Sequence, residues 1–266
     1  MSGTFFILTA KHVVQSAVGA NQQNESPFFF IKDWCGSWGD AGCILHERVL
    51  YPKLLWDIGE IAVNDGLYVN YEDVVLIELY PPVGGRPDYY IDFDKVNYLR
   101  GNEYFEGQHL NISGYPFIEN SFEYGFEDES MPWADHMTTV SRHHLMGHCQ
   151  IDRLNKEYRI SYDLSHGWPT HERLDGFSGG VVTNQTEKRK TVRWAGMCVL
   201  VRESVRAMYF MPAHRLVPLV MSYRDAPMRV IDPMAELEVH GRVPSGYECV
   251  VEVALREIFA RYRVTD

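Results

Sequence analysis

The apolar residues of this chain come in short runs of β-branched and aromatic side chains, each closed off by Gly, Pro, Asn or Asp. No other feature of the sequence restricts the fold as much. Thr4 to Thr9, Cys43 to Val49, Val74 to Leu79, Leu110 to Gly114 and Tyr158 to Tyr162 have the length and composition of strands. Gly180 to Thr183 and Val192 to Val201 continue the series and flank the polar stretch Asn184 to Thr191, which reads as a hairpin loop. Helical spacing is nearly absent until late. There Leu216, Leu219, Val220 and Tyr223 suit a helix over Ala213 to Tyr223, with Pro212 placed where a helix can begin. Val250, Ala254, Leu255, Ile258, Phe259 and Tyr262 fall on one face of a second helix. The pattern predicts an all-β chain, built as a sandwich or barrels, with C-terminal helices and no βαβ units.

At 266 residues the chain is long enough for one large domain or for two small fused barrels. A formal charge of -11 argues against nucleic acid as a partner, because that binding rests on a basic footprint that releases counterions. The run Lys188 to Lys190 is too small to reverse this and reads as a solvated turn. Phe5 to Ala10 is apolar but far shorter than the roughly 20 residues that span a bilayer, and it has no basic flank, so neither a membrane partner nor an export leader is expected. The five cysteines are odd in number and contain no CxxC pair, which points to a reduced, cytoplasmic setting. His143, His144, His148 and Cys149 lie close in sequence without the pair spacing of a zinc site and read as a surface loop or strand. Neither a metal nor a cofactor is expected.

Three fragments each place a polar residue at or beside the end of an apolar run: Leu8 to Val14 with His12, Glu72 to Ile77 with Asp73, and Asp175 to Gly180 with Ser178. A serine hydroxyl becomes a nucleophile when an imidazole takes its proton, and the imidazole needs a carboxylate to fix its tautomer. Glycines at 176, 179 and 180 allow a tight turn in which the amides of Gly176 and Ser178 converge on a developing oxyanion. Gly176 to Gly180 also satisfies Gly-x-Ser-x-Gly, the nucleophile elbow of α/β-hydrolases, with Asp232 and His240 following in the order that fold requires. The context opposes it. The elbow needs a buried strand before the serine and a helix after, whereas here a polar stretch precedes and a strand-like run follows.

In order and separation the three fragments resemble the trypsin-like (chymotrypsin-fold) serine peptidases, whose marks are Thr-Ala-x-His, an Asp-led apolar strand and Gly-x-Ser-Gly-Gly. Ile112-Ser113-Gly114-Tyr115-Pro116, Trp194-Ala195-Gly196-Met197 and Tyr209-Phe210-Met211-Pro212-Ala213 resemble further strands and the start of the closing helix of cytosolic bacterial members. The likeness covers about residues 2 to 223. It implies two packed antiparallel barrels, residues 1-120 carrying His12 and Asp73 and residues 121-223 carrying Ser178, with 224-266 as an extension. It implies a Ser178, His12, Asp73 triad, an oxyanion hole of Gly176 and Ser178, acyl-enzyme cleavage of a protein or peptide substrate, and a substrate pocket near Glu172, Val201 and Ala207.

The chain departs from that family in several places. Phe177 stands where secreted members keep an aspartate, and Val13 where they keep a disulfide cysteine, so neither zymogen cleavage nor a disulfide framework is expected. Only Met1 to Gly3 precede the histidine strand, so the first barrel should lack its N-terminal strand or strands. That open edge and residues 224-266 are then expected to meet the body or a protein partner. The alternative to an enzyme is a protease-like binding module that keeps the fold without turnover.

Overall fold

The computed structural model describes residues 4–18, 31–39, 42–50, 52–64, 66, 69–79, 91–115, 121–124, 136–139, 143–162, 174, 176–186 and 191–230, some of them through their backbone alone. Glu172, Asp232, His240 and the helix expected over 250 to 262 lie outside the described residues. The elements in chain order are β1 (Phe5–Ala10), α1 (Lys11–Val18), β2 (Ile31–Gly39), β3 (Gly42–Leu50), β4 (Pro52–Trp56), α2 (Ile58–Asn64), β5 (Val74–Leu79), β6 (His109–Gly114), β7 (Ser121–Tyr124), β8 (His136–Thr139), β9 (His143–Asp152), β10 (Glu157–Ser161), β11 (Val181–Thr186), β12 (Thr191–Arg202), β13 (Ala207–Pro212), α3 (Ala213–Met221) and β14 (Met228–Val230).

The chain is mostly β, with antiparallel sheets and few helices. Six strands close into a barrel in the order β10-β13-β12-β11-β6-β9. Closure leaves none of these six strands with a free edge. The N-terminal half forms a four-stranded sheet, β1-β5-β4-β14, and β2 with β3 and β7 with β8 pair as separate two-stranded ladders. One closed barrel is therefore seen among the described residues, and the N-terminal half contributes an open sheet to them. β6 lies before residue 121 yet pairs with β9 and β11 in the barrel. The last strand of the first sheet comes from beyond the closing helix: Met228 to Val230 pair with Leu54 to Trp56, and Asp57 N–H donates to Pro227 O at 2.9 Å.

Side-chain alternation explains where the core sits. In β13, Ala207, Tyr209 and Met211 face the cluster between the barrel, α2 and α3, while Met208 and Phe210 fill the barrel interior. β5 is buried on both faces, Val74 and Leu76 toward that shared cluster and Val75, Ile77 and Leu79 toward a smaller one with Leu55 and Val14. A strand covered on both sides reads as a continuous apolar run, as Val74 to Ile77 does. In β9 the alternation is strict: Leu145, Gly147 and Cys149 point inward, His144, Met146 and His148 outward. The thiol of Cys149 and the imidazoles of His144 and His148 thus lie on opposite faces of one sheet.

Two readings from the sequence need correction. Asn184 to Thr186 continue β11 and pair with Thr191 to Arg193, because Asn184 is buried and its amide donates to His109 O at 3.0 Å. Its polarity is a satisfied cross-strand contact, not a loop signal. Helical turns also occur early, as α1 and α2, which are 8 and 7 residues long. Both are too short for their periodicity to stand out beside the flanking strands.

Candidate active site

The site begins where the β1–β5 ladder stops. Ala10 pairs with Val74, so the next residues of the two strands, Lys11 and Asp73, meet at the end of the ladder, where Lys11 N–H donates to Asp73 O at 3.1 Å. There α1 starts, and the first N–H groups of a helix have no partner within it. Asp73 supplies one from the neighbouring strand: its Oδ1 accepts the backbone N–H of His12 at 2.9 Å. Its other oxygen, Oδ2, is hydrogen-bonded to Nδ1 of the His12 ring. A carboxylate only accepts, so Nδ1 carries the proton, and in the neutral ring Nε2 keeps its lone pair.

Hydrogen bonding to Asp73 is the main cause that raises the His12 pKa above its ordinary 6.5. Partial burial opposes it, and the charge of Asp73 adds to it. The ring remains about half exposed, at 49%, so Nε2 stays within reach of a reactant. A second contact fixes this corner. Lys11 Nζ makes an ion pair with Asp57, which is buried at the junction of β4 and α2. Asp57 Oδ1 has no hydrogen-bond partner among the described residues.

Ser178 sits in a tight turn locked to the barrel wall. Phe177 is fully buried in the barrel interior, worth about 1.5–3 kcal/mol for a side chain of this kind. The position points into an apolar core. Gly180 N–H donates to Phe177 O at 2.8 Å, Gly179 N–H to Cys198 O at 2.8 Å, and Tyr115 N–H to Gly176 O at 3.1 Å. Gly176 and Gly179 adopt φ of 101° and 82°, in the region that favours glycine. The N–H groups of Gly176 and Ser178 donate to no group among the described residues.

The serine turn and the histidine strand touch. A Cβ on Gly179 would lie 2.5 Å from Thr9 Oγ1 and 3.6 Å from Ala10 N, so only a bare backbone fits between them. The structure thus hydrogen-bonds His12 to Asp73 and seats the residue after Ser178 against the end of β1. It shows no hydrogen bond between Ser178 and His12.

Of the residues expected to form a substrate pocket, Val201 and Ala207 lie on the paired strands β12 and β13, and Glu172 is outside the described residues. Val201 packs against the barrel interior, and Ala207 is buried in the cluster shared with α2 and α3. Sequence reasoning missed the Lys11–Asp57 pair and the fit of Gly179 to Thr9. Each joins residues far apart in the chain, and no local pattern marks either.

No family model and no curated protein matches the chain. Among solved structures it is similar to the passenger domain of plasmid encoded toxin, an autotransporter enterotoxin from enteroaggregative Escherichia coli. The two are 12% identical with a TM-score of 0.33, over 79% of this chain and 20% of that one. The chain thus spans about a fifth of that chain's length, and a likeness at this level carries no inference about activity.

Proposed function

We propose that this chain is a serine peptidase that cleaves polypeptide substrates through Ser178, His12 and Asp73. The observation that carries the reading is the doubly bonded Asp73, which fixes the His12 ring in the tautomer a general base needs. The contact of the Ser178 turn with the same strand end adds to it. In this reading His12 Nε2 takes the Ser178 proton as Oγ attacks the carbonyl carbon, and the oxyanion rests on the N–H groups of Gly176 and Ser178. His12 then gives the proton to the leaving amine as the C–N bond breaks, and water resolves the ester by the same route. The reading carries with it a two-barrel architecture, with β1, β4 and β5 as walls of the first barrel, and a cytoplasmic place of action.

A fluorophosphonate probe tests it. Labelling should be abolished by Ser178→Ala and slowed by several orders of magnitude by His12→Ala. A folded wild-type chain that takes no label would sink the enzyme reading and leave a protease-like binding module in its place.

A further inference from the structure

Away from Ser178, the structure holds a pocket of about 180 Å³ between α2, the β9–β10 turn and α3. Its apolar lining is Ile61, Pro218 and Leu219, and its polar lining is Lys156, Arg215, His214 and Ser222. Lys156 and Arg215 are basic side chains and no carboxylate among the described residues lines the pocket, in a chain whose formal charge is -11. Ser222 is occupied, its hydroxyl donating to Pro218 O at 2.9 Å.

The polar wall is held in place before any ligand arrives. Lys156 closes a turn in which Asp152 Oδ1 accepts the N–H groups of Leu154 and Asn155, and it stands in the left-handed region at φ 55°. Its ammonium donates to Gly66 O at 3.0 Å, which leaves two of its three N–H groups for another acceptor. The His214 ring is packed among Tyr104, Tyr158 and Gly101, with centroids 5.3 and 5.8 Å from the two tyrosine rings. Its Nδ1 is buried and has no hydrogen-bond partner among the described residues. A buried polar atom without a partner costs about 1–3 kcal/mol. Burial, aided by the neighbouring Arg215 charge, lowers the pKa of His214 to about 4, so the ring is neutral near pH 7 and adds no charge to the pocket.

We propose that this pocket binds a small organic carboxylate with a short branched apolar chain, the carboxylate on Lys156 and Arg215 and the chain against Ile61, Pro218 and Leu219. The volume equals about six water molecules, which suits an acid of that size or the last residue of a peptide with a free C-terminus. The inference does not depend on peptidase activity, since none of these residues belongs to the candidate active site.

Calorimetric titration of the folded chain with 3-methylbutanoate, its amide and inorganic phosphate tests it. The acid should bind saturably and the amide at least about tenfold more weakly, because a charge-assisted pair is lost. Phosphate should also bind more weakly, for want of an apolar body. Arg215→Gln and Lys156→Gln change exposed residues, and each should weaken the acid by about tenfold without altering the thermal melt. A peptide ending in free Leu that binds, where its amidated form does not, identifies a polypeptide terminus as the source. Binding of the free acid alone identifies a small acid. Absence of saturation at tens of millimolar, an amide or phosphate that binds as well as the acid, or unchanged affinity in both variants would overturn the proposal.

Discussion

Replacing Gly179 with alanine probes the contact on which the candidate site rests. The residue holds φ +82°, where an L side chain costs about 1–2 kcal/mol. The new methyl would also meet Thr9 Oγ1 at 2.5 Å, and such overpacking typically adds about 1–3 kcal/mol. The single variant should therefore lose about 2–5 kcal/mol, and at about 2–4 °C per kcal/mol its melt should fall by about 4–20 °C. Thr9→Ala removes the clashing oxygen, after which the nearest atoms to the methyl, Thr9 Cβ and Ala10 N, lie at 3.5 and 3.6 Å, ordinary contact distances. The double variant should then retain only the backbone cost, giving a coupling of about 1–3 kcal/mol in a double-mutant cycle by urea denaturation. Labelling of Ser178 should fall in the single variant and recover in the double. Additivity within about 0.5 kcal/mol would refute the reasoning, because the serine turn and β1 would then not meet in solution.

Three further outcomes follow from the charged groups. His12 has a raised pKa, so its contribution to stability is complete below 6.5 and fades as pH climbs through the folded value. The neutral ring needed as a base accumulates over the same window. The probe-labelling rate should rise with a midpoint above 6.5, matched by the His12 ring resonances in NMR; a midpoint at or below 6.5 would mean that the Asp73 contact is absent in solution. Lys11→Met leaves the buried carboxylate of Asp57 without its cation and should cost about 3 kcal/mol in urea denaturation, partly restored by Asp57→Asn; a loss under about 1 kcal/mol would show that solvent screens the pair. Glu103 is pulled down to about 2, first by its hydrogen bond to the Arg193 guanidinium and then by the Arg100 N–H. Its contribution is present above 4.5 and lost as pH falls from there toward 2, so Glu103→Gln should flatten acid unfolding across that window, and parallel curves would count against it.

What the sequence made legible was the part of the fold written in local pattern. Val74 to Leu79 emerged as a strand at its observed bounds because both of its faces are buried, and a run of that kind leaves little choice of period. The helix expected over Ala213 to Tyr223, which ends at Met221, was visible because one face packs on the core and Pro212 marks its start. His12, Asp73 and Ser178 stood out as polar residues at the ends of such runs. The pairing of Met228 to Val230 with β4 was hidden, since those residues are exposed and their partners lie over 170 positions earlier. Asn184 misled for the opposite reason: an amide in a polar run looks like a loop until its acceptor, His109 O, is known to lie across the sheet. The strand order of the N-terminal sheet was likewise beyond local reading, because it depends on which distant edges meet.

Asp73 shows why fold and chemistry at this corner are hard to separate. One oxygen caps α1 through the His12 N–H and the other holds the His12 ring, so the group that ends the ladder also orients the imidazole. An asparagine there keeps one acceptor and gains an NH2 group. With its oxygen on the backbone N–H, its amide faces Nδ1 as a donor and moves the ring proton to Nε2, where it would block the proposed proton transfer. With its oxygen on the ring, the helix start loses its cap. Asp73→Asn thus forces a choice between a folded corner with the wrong tautomer and a correct tautomer on a weakened helix. A carboxylate at the end of the Asp73 strand is the side chain that satisfies both neighbours together.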